Sequence, residues 1–275
     1  SGVTEEMAQS MLERAPLDLR VNNLKLTRDS VDIPVDKLST AAPQGLRLPA
    51  GTKVEEWDSY LAGEIEIQDT GSQLAALAVG ARAGETVIDL CAGAGGKTLA
   101  LAAMMENRGT LIASDTDRGR LSRLPDRAER AGVTIAQTLL LNPGREADLL
   151  AAWEGKTDAV LVDAPCSGTG TWRRNPEARW RLDPAELSRL TQLQARLFAL
   201  AARLVRPGGR VCYVTCSLLD EEGAEQVEAF LAKHPAWQAD ALNLPLGVPH
   251  GKGLRLDPYH HGTDGFFVAL VTNAC

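Results

Sequence analysis

The chain is organised around the segment Val160-Leu161-Val162-Asp163-Ala164-Pro165-Cys166-Ser167-Gly168-Thr169-Gly170. Its apolar run predicts a buried parallel strand ending at Asp163, and open α/β sheets bind their ligands at the carboxyl ends of such strands. Pro165 ends the strand pairing, and the glycines that follow allow turns that hold Cys166 in a loop beside the acid. Taken alone, the segment favours by roughly three to one an Asp163 that caps a helix and a Cys166 that is a small buried side chain. The rest of the sequence reverses this preference.

Strands and helices alternate along most of the chain. We expect strands at 86–90, 110–114, 135–141, 158–163, 210–215 and 265–271, and helices at 72–79, 97–107, 118–131, 145–153, 184–205 and 221–234. This alternation predicts an α/β fold with a doubly wound, mainly parallel, Rossmann-like sheet. A helix at 5–14, a strand at 17–22 and a turn-rich piece predict a small N-terminal α+β lobe at 1–65, followed by a main domain at 66–275.

Composition and charge exclude several classes of protein. The chain has 275 residues, 44% of them hydrophobic, which suffices for one main domain of about 200 residues and a small appendage. No apolar run approaches the roughly 18 residues of a membrane span, and no signal peptide opens the chain. The net charge of -7 disfavours bulk binding of nucleic acid but allows a local basic patch.

The cysteines form an odd set without a C-x-x-C pair: Cys91, Cys166, Cys212, Cys216 and Cys275. With only four histidines beside them, a disulfide framework and a zinc site are both disfavoured. We therefore expect a reduced, cytoplasmic, monomeric protein that binds neither metal nor membrane. The chain opens at Ser1-Gly2 without a methionine, so we also expect a processed or partial chain.

A second candidate site follows the strand at 86–90, in the loop Cys91-Ala92-Gly93-Ala94-Gly95-Gly96-Lys97-Thr98. Glycines let the backbone approach a cofactor, and the helix start offers free amides. A phosphate-binding P-loop would need glycine in place of Cys91, and a dinucleotide fingerprint would need it in place of Thr98, so neither motif is complete. What remains is a glycine loop with an acid, Asp115, after the next strand, where a carboxylate can bind ribose hydroxyls. The pattern is evenly balanced between a nucleoside cofactor and ordinary turn chemistry.

A third candidate is Cys216, which follows the strand at 210–215 and is expected at the same sheet edge as Asp163. Cys212 shares its face of the strand but lies about 13 Å back, so we expect it in the core. The acidic run 220–222 begins the next helix, where carboxylates favour the helix N-terminus, and we assign it no functional role.

Three motifs in this order resemble the Sun-type RNA cytosine-5 methyltransferases, and among them the small-subunit ribosomal-RNA methyltransferase B group. They are Asp-Leu-Cys-Ala-x-x-Gly-Gly-Lys-Thr (89–98), Asp-Ala-Pro-Cys-Ser-Gly-x-Gly (163–170) and Tyr-x-Thr-Cys-Ser (213–217). Leu19-Arg20-Val21-Asn22 and Gln68-Asp69-x-x-Ser72-Gln73 extend the resemblance over nearly the whole chain.

The resemblance implies S-adenosylmethionine as cofactor, RNA as partner, Cys216 as nucleophile and Cys166 as the residue that helps to release the product. We expect cofactor contacts from Cys91, Ala92, Gly93, Ala94, Gly95, Gly96, Lys97, Asp115, Asn142 and Asp163. The chain departs from the family pattern in two places. Gly93-Ala94 stands where the family commonly has Ala-Pro, which predicts a less rigid loop. The family usually has an acid after the third strand to bind the adenine amino group, and this chain has only Asn142 near that position.

The chemistry of cytosine agrees with these assignments. C5 is too weak a nucleophile to accept a methyl group until a thiolate adds at C6, which requires a cysteine. Addition sends electrons toward N3, where an acid such as Asp163 favours the step. After methyl transfer, H5 and the thiol must both leave, and Cys166, or a water that it orders, can assist.

For contact with RNA, the segment 172–181 combines aromatic side chains with the arginines Arg173, Arg174, Arg179 and Arg181. Such a set suits phosphate contacts and base stacking, which we favour roughly two to one over an ordinary helix with solvated arginines. We also expect the lobe at 1–65 to contact RNA. The arginines at 118, 120, 123, 127 and 130 alternate with acids and predict a solvated helix face.

Other functions remain open: tRNA cytosine-5 methylation, DNA cytosine-5 methylation with Cys166 as nucleophile, methylation of amino groups, or RNA binding without catalysis. Cys216 argues against the DNA enzyme, and the absence of a Pro-Pro-Tyr motif argues against the amino-group enzymes. The intact Cys216 and Asp163 argue against a non-catalytic protein.

Overall fold

A small four-stranded antiparallel sheet forms near the N-terminus in the computed structural model, which describes residues 3–274; Ser1, Gly2 and Cys275 lie outside the described residues. Its strands are β1 (Leu17–Val21), β2 (Leu38–Ser39), β3 (Gly45–Leu48) and β4 (Ile65–Ile67), in the order β2-β3-β1-β4. Leu19 and Leu46 pair across β1 and β3 and belong to the core of this lobe.

A nine-stranded mixed sheet occupies the rest of the chain. It contains β5 (Thr86–Asp89), β6 (Thr110–Asp115), β7 (Ala136–Leu140), β8 (Thr157–Asp163), β9 (Val205–Thr215), β10 (Trp237–Asp240), β11 (Val248–His250), β12 (Gly253–Leu256) and β13 (Phe266–Asn273). The parallel part has the order β9-β8-β5-β6-β7, and β13 pairs antiparallel with β9. From β5 the chain adds β6 and β7 on one side and then β8 and β9 on the other side. The boundary between β5 and β8 is therefore the topological switch point, where doubly wound folds bind ligands.

The α-helices are α1 (Glu5–Ser10), α2 (Asp58–Leu61), α3 (Thr70–Ala78), α4 (Gly96–Met104), α5 (Arg118–Leu121), α6 (Leu124–Ala131), α7 (Glu146–Leu150), α8 (Pro184–Leu204), α9 (Ala224–Lys233) and α10 (Pro258–His261). On the large sheet, α3, α4 and α6 share one core cluster, and α8 and α9 share the cluster of the other face. Within β8, Ala159 and Leu161 belong to one core cluster, whereas Val160 and Val162 belong to the other. Burial on both faces explains why residues 159–162 of β8 are all apolar. The predicted α/β fold is confirmed.

Several element boundaries differ from those predicted. The helix expected at 118–131 is divided into α5 and α6, because Pro125 has no amide hydrogen and its ring disfavours a continuous helix. The helix expected at 5–14 ends at Ser10. The helix expected at 221–234 begins as a 3₁₀ turn at Asp220–Glu222 and continues as α9. Among the described residues, no helix is long and apolar enough to cross a membrane.

Candidate active site

Cys166 and Cys216 meet at the carboxyl ends of β8 and β9. Their sulfur atoms are 3.3 Å apart, and both side chains are half-buried. The loops that carry them are tied together, because the Gly170 amide donates to the Cys216 carbonyl at 3.0 Å. The hydrogen bond to Cys216, together with burial, raises the pKa of Cys166 well above its ordinary value. As a thiol, Cys166 could exchange a proton with the neighbouring sulfur atom.

Asp163 is paired with a lysine beside these sulfur atoms. Lys97 Nζ donates to Asp163 Oδ2 at 2.7 Å and lies 5.5 Å from the centre of the Phe266 ring. Lys97 is only 9% exposed. Burial alone would lower its pKa, but the charge of Asp163 and the hydrogen bond to it outweigh burial, and the pKa of Lys97 is raised. The lysine is thus a permanent cation at the site. Its contact with Asp163 was not predicted from its place in the glycine loop.

The glycine loop is fixed to the acid at the end of β6. Asp115 accepts from the Gly93 amide through Oδ2 and from the Asp117 amide through Oδ1, both at 2.7 Å. Gly93 and Gly95 have φ of +56° and +86°, a left-handed backbone that side chains with a β-carbon resist. At the end of β5, Asp89 is fully buried, and burial raises its pKa to about 7.

Two cavities open on this sheet edge and share Asp163. The larger, of about 600 Å³, is lined by Cys91, Asp115, Asp163, Cys166 and Cys216 among others. The second, of about 360 Å³, is lined by Ala92, Ala94, Gly96, Lys97 and Asp163, together with residues of the N-terminal lobe. The predicted catalytic residues are therefore brought together. Most of the predicted cofactor residues are divided between the two cavities, whereas Gly93, Gly95 and Asn142 line neither of them.

Asn142 does not fit its predicted position in the cofactor site. It is exposed, and the wall of the larger cavity is formed instead by its neighbours Leu141 and Pro143. The physical reason is that β7 ends at Leu140, so the chain turns outward at Asn142, whose carbonyl accepts from the Arg145 amide at 2.9 Å.

Glu222 is a site residue that the sequence did not reveal. It is fully buried and accepts from the Ser167 amide at 2.8 Å and from Gln194 Nε2 at 3.0 Å, and it also receives the Ser167 hydroxyl. Gln194 Nε2 additionally donates to the Pro165 carbonyl at 2.9 Å. Glu222 thereby holds both sides of the Cys166 loop, so the interpretation of 220–222 as mere helix-end charges was wrong for this residue.

The predicted RNA-binding arginines separate into two groups. Arg173 pairs with Asp264 at 3.0 Å and its side chain is 4% exposed, while Arg174 bridges Asp264 at 2.5 Å and Asp69 at 3.1 Å. The predicted phosphate contact does not fit these two, because their guanidinium groups already neutralise buried carboxylates.

Arg179 and Arg181 lie nearer the solvent, beside Trp180, whose side chain is 83% exposed. The guanidinium carbon of Arg179 is 5.8 Å from the centre of the Trp180 ring. This smaller surface, Arg179–Arg181, combines charge with an exposed aromatic ring. Over residues 3–274, no group of three or more His, Cys, Asp or Glu side chains could hold a metal ion.

A parallel sheet with a glycine loop after its first strand, an acid after its second and a cavity at the switch point defines a Rossmann-like methyltransferase. Residues 76–272 match the family described as 16S rRNA methyltransferase RsmB/F, and the chain belongs to this family. The predicted family and the predicted cofactor of that family, S-adenosylmethionine, are confirmed by this match.

Individual proteins show the same relationship. The chain is similar to the probable ribosomal RNA small subunit methyltransferase B of Synechocystis, with 35% identity over 98% of this chain and 63% of the relative. The solved structure of PH0851 superimposes with a TM-score of 0.91 and 34% identity, covering 97% of this chain and 62% of that one. NSun6 from Pyrococcus horikoshii, solved with SFG, has the same fold, with a TM-score of 0.86, 19% identity and coverage of 98% and 94%. The chain thus spans a little over three fifths of the length of the Synechocystis relative.

Proposed function

We propose that this chain transfers a methyl group from S-adenosylmethionine to C5 of a cytosine in small-subunit ribosomal RNA, through a covalent bond between Cys216 Sγ and C6. The observation that carries the proposal is the 3.3 Å approach of the two cysteine sulfur atoms beside the Lys97–Asp163 pair. The names of the curated relatives support ribosomal RNA over tRNA as the substrate.

The residues of the larger cavity fit the cofactor. Its volume of about 600 Å³ exceeds what one nucleoside needs, and Asp115 presents a carboxylate to it. Cys91 and Asp115 would hold the nucleoside, and Asp163 would lie toward the sulfonium end. When bound, S-adenosylmethionine supplies the methyl group as an electrophile.

The first step is carried by Cys216 and the Lys97–Asp163 pair. The Cys216 thiolate forms a bond to C6, and the C5–C6 π electrons move toward N3 and activate C5. In its protonated form Asp163 can donate a hydrogen bond to the pyrimidine edge that becomes electron-rich, while Lys97 adds a positive charge to the same region. Because the pair is largely buried, this stabilisation acts in a medium of low polarity.

Release of the product is assigned to Cys166. H5 leaves to a water at the site, its electron pair restores the C5–C6 double bond, and the C6–S bond breaks with its electrons on Cys216. Cys166 is a thiol 3.3 Å from that sulfur and can give it a proton or a hydrogen bond. The Thr215-Cys216 thiol argues against the alternative in which Cys166 is the nucleophile of a DNA-type enzyme.

We further propose that RNA approaches over the surface Arg179–Arg181 and the lobe at 1–65, with the catalytic domain at 66–275. The position of Arg179–Arg181 in the chain, directly after the Cys166 loop, supports this path. The opening of the second cavity onto Asp18 of the lobe and onto Gln68 also supports it.

Alanine variants of the two cysteines test the reaction. Cys216→Ala is expected to form no covalent RNA complex, because nothing then activates C5. Cys166→Ala is expected to attack and methylate once and to release slowly, so that a denaturant-resistant adduct accumulates on a gel with labelled RNA and S-adenosylmethionine. The double variant is the control and should form no adduct. An adduct in Cys216→Ala that is absent from Cys166→Ala would reverse the two roles and favour the DNA-type mechanism.

A further inference from the structure

Arg127 points toward the cofactor loop, contrary to the solvated helix face that its charge pattern predicts. Its Nη1 donates to the Ala94 carbonyl at 2.6 Å, and its Nη2 donates to Glu66 Oε2 at 2.7 Å. Ala94 lies between Gly93 and Gly95, the two loop residues with left-handed backbone. One guanidinium group therefore connects the middle of the glycine loop to β4 of the N-terminal lobe.

The carboxylate that holds Arg127 is itself fixed. Glu66 is buried, and its other oxygen accepts from Arg130 Nη2 at 2.5 Å. The guanidinium carbon of Arg130 lies 4.2 Å from the centre of the Tyr60 ring, so Arg130 is anchored in the lobe. Glu66 thus receives two arginines one helical turn apart, and of these Arg127 is the one whose described contacts reach the loop.

The same side of the helical segment covers the loop at two further points. A β-carbon on Gly93 would lie 2.4 Å from the Arg120 guanidinium, and one on Gly95 would lie 2.2 Å from the Leu124 side chain. These two side chains lie close to the loop without bonding to it in a fixed direction. The bond from Arg127 to Ala94, in contrast, is a directional, charge-assisted hydrogen bond that fixes a peptide plane. Such a restraint matters here because Gly93-Ala94 leaves the loop with more backbone freedom than the Ala-Pro pair common in the family.

We propose that Arg127 is a positioning residue for the cofactor loop, which it holds through the Ala94 carbonyl, and that Glu66 of the N-terminal lobe holds Arg127 for this purpose. The inference rests on the proposed binding of S-adenosylmethionine at this loop. Without the restraint the loop samples more conformations, and ordering it on binding lowers the affinity for the cofactor. The chemical step is unaffected once the cofactor is bound, because Arg127 does not line the cavity that holds the two cysteines.

The test compares Arg127→Ala with Arg130→Ala, since both remove one arginine from Glu66 and only the first removes the bond to Ala94. Calorimetry with S-adenosylmethionine should show roughly tenfold weaker binding for Arg127→Ala, the size of one charge-assisted hydrogen bond, and a change below about twofold for Arg130→Ala. Steady-state kinetics should show a higher KM for the cofactor in Arg127→Ala, with kcat at saturation nearly unchanged.

Arg127→Lys gives the second measurement and serves if the alanine variant folds poorly. An ammonium cannot reproduce the two-ended contact, so intermediate affinity is expected. Wild-type affinity in Arg127→Lys and Arg127→Ala would overturn the inference, as would equal losses in Arg127→Ala and Arg130→Ala, which would point to general weakening of the lobe. If the wild-type protein itself does not bind S-adenosylmethionine, the proposed function fails instead, and the two failures are distinguishable.

Discussion

Replacing Glu222 by glutamine tests whether a buried carboxylate holds the Cys166 loop in its working position. Glutamine keeps the shape, and its carbonyl oxygen can take the place of Oε1, which accepts from both the Ser167 amide and Gln194 Nε2. Its amide nitrogen then faces the Ser167 hydroxyl in place of Oε2, so this hydroxyl loses a charged acceptor and has to accept a hydrogen bond instead. Since a hydrogen bond to a charged group contributes about 1.5 to 3 kcal/mol and relief of the buried charge offsets part, we expect a net loss of about 1 to 2 kcal/mol.

Cys166 lies between Pro165, whose carbonyl is held by Gln194, and Ser167, which is held by Glu222, so the substitution should also affect catalysis. When the Ser167 side chain is held less firmly, the 3.3 Å approach of Cys166 to Cys216 is lost for part of the time. Product release should therefore slow, about tenfold if the close approach is populated one tenth of the time. Attack by Cys216 should be less affected, because Cys216 is carried by a different strand.

Two measurements check this prediction. Urea unfolding gives the stability change, and a denaturing gel with labelled RNA and S-adenosylmethionine gives the amount and lifetime of the covalent adduct. Glu225→Gln is the matched control, since it makes the same charge change at an exposed position in the first turn of α9, where effects stay within about 0.5 kcal/mol. If Glu222→Gln and Glu225→Gln have the same stability and the same adduct lifetime, Glu222 does not position the loop.

Three further predictions address the cofactor, the RNA and the pH dependence of stability. Asp115→Ala should weaken binding of S-adenosylmethionine at least severalfold in calorimetry, because the Gly93 amide loses its acceptor; unchanged affinity would remove Asp115 from the site. Arg179→Glu combined with Arg181→Glu should weaken RNA binding and reduce the salt slope by about two, with cofactor binding intact, whereas unaltered RNA affinity would make Arg179–Arg181 ordinary surface. Asp89 keeps its proton in the folded protein up to a pKa of about 7 and loses it near 3.8 when unfolded, so its contribution to stability is lost as pH rises through this window. Asp89→Asn should flatten that part of the urea-midpoint profile, and equal slopes in both proteins would contradict the assignment.

The sequence predicted the sheet well where strands are buried on both faces. The strand predicted at 158–163 is marked by the apolar run 159–162, and the structure has β8 within one residue of the predicted range. The antiparallel edge formed by β10, β11 and β12 was not predicted, because these strands are three or four residues long and only partly buried. Their pairing is decided by contact with β13 and with each other, which no local pattern encodes.

The candidate site divides in the same way. Asp163, Cys166 and Cys216 could be predicted because each lies at or just after the end of a core strand, and the carboxyl ends of neighbouring parallel strands share one edge. The side chains that hold them could not, because Glu222 meets Ser167 across 55 positions of sequence and Arg173 meets Asp264 across 91. In the sequence, such arginines and glutamates cannot be distinguished from solvated surface charges.

These partners, which the sequence did not reveal, have a common function around the two cavities. Lys97 holds Asp163, Glu222 holds the Cys166 loop, and Arg127 holds the Ala94 carbonyl, so each restrains a loop or side chain at a strand end. Burying a charge is costly, and a well-packed apolar residue at such a position would often be neutral or better for stability. Charges kept at these three points therefore make sense as fixed, directional restraints on the site, because an apolar contact would not set the direction of a carboxylate or a peptide plane. It follows that variants of these three residues should differ in which step they impair: cofactor binding, attack by Cys216 or release of the product. Measurements of stability alone would not distinguish these effects.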